Sequence, residues 1–248
     1  MRRLHVFTLV PEAFAWFRGQ HPVADALAAG MVALTVHQLR DYSPYKHHQV
    51  DDTPYGGGPG MVLRVDVVAA ALEGVFGVPA GEVRRDRDVV LLGPGGRPFD
   101  DALATEFAAA ERDLVLICGR YEGFDARVLE LLASSELSVG PYVLAGGEVA
   151  ALAVLEATIR KIPGALGNEE SLVQESFGEG LGGDVEYPQY TRPREYSGRE
   201  VPAVLLSGNH GEIARWRAAH ARPSLWDEWA SGRVRPLPVS DEPVARRG

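Results

Sequence analysis

The sequence predicts an α/β fold with a largely parallel sheet, followed by a small helical C-terminal unit, and three observations carry that prediction. Short apolar runs rich in Val, Leu and Ile alternate with segments of helical spacing, the pattern of strands covered by helices. The last three of these runs each end in a glycine-rich loop. From residue 191 onward the composition shifts, with 10 Arg against 7 acidic residues, whereas residues 1–190 hold 15 basic against 27 acidic residues.

Taken in order, the strand candidates are LHVFTL (4–9), MVALTVHQL (31–39), DVVLL (88–92), DLVLIC (113–118) and ELSVG (136–140). Their apolar residues run on rather than alternate with polar ones, as expected of strands buried on both faces. Helical spacing occupies 22–29, 65–76, 100–111, 124–134 and 147–160, and acidic residues such as Asp66 and Asp100 stand where they can satisfy the free amides of a first turn. Residues 162–190 are Gly, Pro and acidic residues without periodicity. A structureless stretch of that length is unusual inside a compact domain, so it is expected to be an interdomain linker with a functional role. Beyond it EIARWRAAHARPSLWDEW (212–229) puts Ile213, Trp216 and His220 on one side of a helix. The expected organisation is therefore a domain over 1–161, a linker over 162–190 and a helical domain over 191–248.

Several classes are excluded. No stretch approaches the roughly 20 apolar residues that cross a bilayer, and MRRLHVFTLVPEAF lacks a small-residue cleavage pattern, so a cytoplasmic protein with no membrane partner is expected. The single cysteine, Cys118, closes an apolar run and is expected to be a small buried hydrophobe rather than a nucleophile or zinc ligand. A net charge of −9 disfavours a protein that coats nucleic acid through bulk charge, but leaves room for a local basic patch.

In an open parallel sheet, ligands bind outside the carboxyl ends of the strands. Here those ends carry GPGGRPF (93–99), CGRYEGF (118–124) and VGPYVLAGGE (139–148), which should converge on one site. Glycine removes side-chain bulk and permits positive φ, so a flat ring can approach the backbone closely. Neither GxGxxG opening a first helix nor GxxxxGK[ST] occurs, which disfavours a dinucleotide site and a P-loop. Glycine content alone does not say which flat ligand is bound.

The longer motifs CGRYEGFDARV (118–128), SVGPYVLAGGE (138–148), VDDTPYGGGPGM (50–61) and YTRP with VPAVLLSGNHGEIARWR (190–217) narrow the choice. Together they resemble the bacterial tRNA (guanine-N1)-methyltransferases of the knotted SPOUT superfamily, collinearly and over almost the whole chain. The resemblance implies a deep trefoil knot in the methyltransferase domain, a homodimer with active sites shared across its interface, and methylation of the guanosine at tRNA position 37. It implies S-adenosylmethionine as donor, held by Pro94, Gly119, Tyr121, Glu122, Val139, Gly140, Pro141, Tyr142, Val143, Leu144, Gly146 and Gly147. The family is also associated with Mg²⁺, for which no motif marks a site.

Methyl transfer to N1 of guanine needs a base for the N1 proton and a cation for the charge that builds at O6. The resemblance implies Arg160 as that cation and a linker carboxylate, here Glu175 in QESF, as the base. The family has aspartate at this position, so the base has one extra methylene. Two further departures are Pro141, where the family is often acidic, and Gly93 and Gly95, where it tends to carry a hydroxyl and an amide. By their residues alone, Arg160 is equally a helix C-terminal cation and Glu175 one of six linker acids.

A modified base must leave its stack, and YGGGPGM (55–61) is the candidate cradle, with Asp51, Tyr55, Gly56, Gly57, Gly58, Pro59 and Gly60 as substrate-binding positions. Arg192, Arg194, Arg199, Arg215 and Arg217, with Trp216 among them, can meet tRNA phosphates or simply face solvent around a packed helix. Competing functions are a knotted ribose 2′-O-methyltransferase and a noncatalytic RNA-binding module.

Overall fold

The computed structural model describes residues 1–166 and 175–224. The chain divides into two compact units, Met1–Glu169 and Glu170–Gly248, and the division falls inside the segment without periodicity.

In the first unit the apolar runs become β1 (Arg2–Thr8), β2 (Val32–Gln38), β5 (Arg87–Pro98), β6 (Asp113–Cys118) and β7 (Ser135–Ser138). They pair in parallel in the order β2-β1-β6-β5-β7. A short antiparallel pair, β3 (Asp51–Asp52) and β4 (Val62–Leu63), stands apart from this sheet. Side chains alternate between the two faces of each central strand. Leu4, Val6, Leu114, Leu116 and Leu92 pack with Val23 of α1 (Val23–Ala28), Phe107 of α4 (Asp101–Ala109) and Leu155 of α5 (Glu148–Ile159). Phe7, Val115, Ile117 and Leu91 pack on the other face with Leu72 of α2 (Val65–Phe76) and Val83 of α3 (Ala80–Asp86). Helices thus cover both faces, and each such buried aliphatic or aromatic side chain contributes roughly 1.5–3 kcal/mol.

The elements differ from the sequence expectations in places with a physical cause. The 124–134 segment forms only a π-helical turn, Val128–Leu132, with Val128 and Leu132 buried beneath it. The charged heptad AGEVRRD forms α3 through two buried residues, Ala80 and Val83. Asp100 does cap α4, accepting from the Leu103 amide at 2.8 Å. Asp66 instead sits inside the first turn of α2, where it accepts from Arg64 and Tyr45 and from its neighbour Val67. β5 runs on through the first glycine loop to Pro98, because residues 97 and 98 return to pair with β7.

The described part of the second unit opens with a tight turn at Glu175 and a 3-10 turn, Glu179–Leu181. It continues with an antiparallel pair, β8 (Glu195–Tyr196) and β9 (Arg199–Glu200), a 3-10 turn Ala203–Leu206, and α6 (His210–His220). Asn209 caps α6, and Trp216 stacks on His220 with ring centroids 4.0 Å apart. The helix ends at His220, ahead of Pro223, whose predecessor is pushed out of helical conformation. Residues 225–229 of the expected helix and 167–174 of the expected linker lie outside the described residues.

Candidate active site

At the carboxyl ends of β5, β6 and β7 the three glycine loops line one cavity of about 610 Å³. β6 lies on one side of β5 and β7, the next strand in the chain, on the other, so the chain reverses its direction across the sheet here, and a crevice opens where such directions diverge. Gly93–Gly96 bulge out of β5 before Arg97 and Pro98 rejoin Leu137 and Ser138 of β7. The third loop is tied to the second through the Gly147 amide, which donates to the Gly119 carbonyl at 2.8 Å, and through a bridge between Arg120 and Gly146.

The glycines here serve space rather than left-handed backbone. A Cβ at Gly96 would stand 2.5 Å from the backbone of Glu136 and Leu137, and one at Gly147 would stand 2.8 Å from Cys118 Cα. Real Cβ contacts are not that short, so the loops lie together more closely than any side chain permits. Only Gly123 in these loops has a positive φ, 98°, alongside Tyr121 at 59°.

Beneath the loops lies a buried polar clamp. Glu148, the first residue of α5, is 4% exposed. Its carboxylate accepts from the Thr8 hydroxyl at 2.7 Å and pairs with Arg120 Nε at 3.1 Å, joining β1, the second loop and the start of α5. Cys118 is fully buried beside it; desolvation, reinforced by the charge of Glu148, pushes its thiol well above the usual range. A thiol so placed behaves as packing, in keeping with the sequence expectation.

The rim of the cavity carries residues 53–61, the loop of the β3–β4 hairpin. It hangs from the second glycine loop: the Glu122 amide donates to Met61 O at 3.0 Å, and the Leu63 amide to Gly123 O at 2.9 Å. A Cβ at Gly60 would collide with the Glu122 carboxylate. Tyr55 is fully exposed at the tip. At the base, Arg64 donates to Asp52 at 2.8 Å and Asp66 at 3.0 Å, and lies 4.1 Å from the centre of the Tyr45 ring. The hydrogen bonds from Arg64 hold the Asp66 carboxyl below its usual range.

The sequence matches the family described as tRNA (Guanine-1)-methyltransferase TrmD over residues 2–227. The chain belongs to this family. Among its relatives is the tRNA (guanine-N(1)-)-methyltransferase of Rhodopseudomonas palustris (strain TIE-1), 46% identical over 231 residues and covering 90% of this chain and 89% of the relative. The protein of the same name from Nitrobacter hamburgensis is 45% identical over 237 residues, 93% of this chain and 95% of the relative. That of Cereibacter sphaeroides (strain KD131) is 47% identical over 238 residues, 93% of each.

Of the twelve positions that the family resemblance marks for a donor, all but Pro141 line the cavity; Pro141 is exposed and is not part of its lining. Arg160 is the C-cap of α5 in the first unit, its amide donating to Glu156 O at 3.1 Å. Glu175 lies in the second unit at the head of a turn closed by the Gly178 amide on its carbonyl, at 2.9 Å. The next residues hold that turn: the Ser176 hydroxyl accepts from the Glu186 amide at 3.0 Å, and Phe177 adopts a φ of 70°. Three polar residues of the chain escaped the sequence analysis: Arg120 and Glu148, which stood inside quoted motifs without a role, and Glu136, which also lines the cavity. The position of Thr8 at the carboxyl end of a strand was the available signal for the clamp.

Among the described residues no helix is long and apolar enough to cross a membrane.

Proposed function

We propose that this chain transfers the methyl group of S-adenosylmethionine to N1 of a guanine in tRNA, the guanine at position 37, and does so in the cytoplasm. The observation that carries the proposal is the cavity of about 610 Å³ walled by three backbone loops, with a glycine-rich rim loop hung on the same wall, in a chain of this family. That volume lies in the range of small-molecule sites. The missing side chains at Gly119, Gly140 and Gly147 leave room for an adenine ring to lie against the backbone, and Tyr121, Val139, Tyr142 and Leu144 supply apolar surface. S-adenosylmethionine supplies an activated methyl group as its sulfonium.

The rim loop receives the unstacked guanine, with Tyr55 available to stack and Asp51 and Asp52 at its base. The Glu175 carboxylate takes the N1 proton, and Arg160 meets the charge that gathers at O6. Arg192, Arg194, Arg199, Arg215 and Arg217 contact phosphates, so tRNA affinity falls with salt. Among the described residues no group of three or more His, Cys, Asp or Glu side chains is placed to hold a metal ion, and no step is assigned to Mg²⁺.

The trefoil knot and the homodimer belong to the same proposal. The return of Arg97 and Pro98 to β7 after the Gly93–Gly96 bulge, and the hydrogen bond of Gly147 to Gly119, support the knot. Exposed apolar side chains at Leu129, Leu131, Tyr142, Val143 and Val149 support a partner surface beside the cavity.

One assay tests the whole: incorporation of labelled methyl into tRNA followed by nucleoside analysis, with 1-methylguanosine expected. A ribose-methylated product, or tRNA binding without incorporation, would sink the proposal. Run on mixed dimers carrying Arg160→Ala on one subunit and Glu175→Gln on the other, the assay should recover one working site; either change in both subunits should slow single-turnover transfer about 100-fold or more.

A further inference from the structure

We infer that Glu136 is a specificity-determining residue for the ribose of the methyl donor, an inference that rests on the donor assignment above. Glu136 precedes the buried Leu137 near the end of β7 and lines the same cavity. Its carboxylate lies directly under the first glycine loop. A Cβ at Gly93 would fall on Oε1, and one at Gly95 would stand 3.7 Å from both carboxylate oxygens. The side chain therefore occupies the space that residues with side chains at 93 and 95 would claim. Among the described residues its oxygens have no hydrogen-bond or ion-pair partner.

A half-buried carboxylate is all acceptor, and it needs donors to offset its lost hydration. An adenosyl ligand offers several. The vicinal ribose hydroxyls fit best, because two adjacent O–H groups match two carboxylate oxygens. An acidic side chain beside a glycine loop at the carboxyl end of a parallel strand is also the arrangement by which other α/β folds hold ribose hydroxyls. The bulged loop at Gly93–Gly96 brings backbone close to the sugar on one side, and Glu136 closes the other.

The competing donor on the ligand is the ammonium of the amino-acid arm, and the choice of probes separates the two. Binding to the full-length protein is measured by calorimetry for S-adenosylhomocysteine, for 5′-methylthioadenosine, which keeps the ribose and lacks that arm, and for 3′-deoxy-5′-methylthioadenosine. Hydrogen bonds to a charged group are worth about tenfold or more in affinity. Glu136→Gln is therefore expected to weaken both ribose-containing probes by about tenfold, and to remove most of the penalty that the wild-type protein imposes on the 3′-deoxy probe. Gly93→Ala, which keeps the carboxylate but displaces it, should weaken the same two probes while melting near the wild-type temperature. A loss confined to S-adenosylhomocysteine, or a 3′-deoxy penalty undiminished in Glu136→Gln, overturns the ribose assignment and leaves the donor site standing. Failure of the wild-type protein to bind either ribose-containing probe overturns the donor assignment itself.

Discussion

The rim loop and the cavity loops are both rich in glycine, yet they use it for opposite reasons. At the rim, Gly56, Gly57 and Gly58 have φ of 87°, 79° and 125°, and a Cβ on any of them would meet nothing within 4 Å. These positions need a backbone that L side chains rarely adopt, in open space. In the cavity, Gly96 and Gly147 have ordinary backbone, and a Cβ would lie within 2.8 Å of neighbouring main chain. The first kind of glycine leaves a loop free to change shape around a guest. The second fixes a wall. A base that must be swung out of an RNA stack suits the former, and a small donor that must be aimed suits the latter.

The two regions are also clamped differently, and the largest expected effects come from cutting the clamps. Glu148 is buried, so Glu148→Ala leaves Arg120, whose side chain is 30% exposed, without its partner and Thr8 without its acceptor. Leaving one member of a buried pair behind costs on the order of 3 kcal/mol, read as a shift in urea midpoint, and donor affinity should fall with it. Arg64→Ala cuts the rim clamp, where Asp52 and Asp66 are 53% and 45% exposed. Pairs screened by water are worth little, so about 1 kcal/mol or less is expected, with donor affinity kept and tRNA affinity reduced. Equal losses from the two substitutions would erase the distinction between the clamps.

Substituting the glycines probes the same contrast one step down in size. Gly147→Ala drives a methyl into Cys118 and the Gly119 amide and should cost about 2 kcal/mol, with donor binding impaired. Gly57→Ala meets no atoms and costs only backbone strain, about 1 kcal/mol. Its effect should appear in the KM for tRNA rather than in donor affinity. If Gly57→Ala disturbed the donor and spared the tRNA, the rim would not be the guanine cradle.

That contrast was not legible in the sequence, although much else was. The five apolar runs became five parallel strands, the central three buried on both faces and the edge strand β2 on one, because apolar composition reports burial directly. The loops at their ends could be placed at one site by a general rule of parallel sheets. What spacing cannot show is proximity between distant residues: Thr8 and Glu148 are 140 positions apart, and Glu136 lies under Gly93 only because β5 bulges and returns. The same limit explains α3 and the π-helical turn, whose few buried residues are chosen by the sheet they cover rather than by their own pattern. Arg160 and Glu175 gained their candidacy from family resemblance, since nothing in their local sequence separates a catalytic pair from a helix cap and a linker acid.

The smallest expected effect concerns a strand that leads to the rim and contributes to neither clamp. His37 on β2 is held down to about 4 from 6.5, first by burial and then by His5, whose Nδ1 lies 3.0 Å from His37 Nε2. The Phe7 ring stacks on it with centroids 4.6 Å apart. Between pH 6.5 and about 4 the unfolded chain binds a proton that folded His37 refuses, so stability is full above that window and falls as the pH drops through it. Asp66 and Asp125, both held below 3.8 by arginine hydrogen bonds, lose their contributions only at lower pH, so the histidine window stands clear of them. β2 leads through the turn Leu39–Tyr42 to Val50 and the rim hairpin, whereas the cavity loops hang on β5, β6 and β7. Acid should therefore loosen the rim first. Hydrogen exchange at pH 5 is expected to rise in Val32–Gln38 and the hairpin while the cavity loops stay protected, with a melting temperature a few degrees below that at pH 7. His37→Gln should flatten the pH slope, and a slope left intact would move its origin to another group.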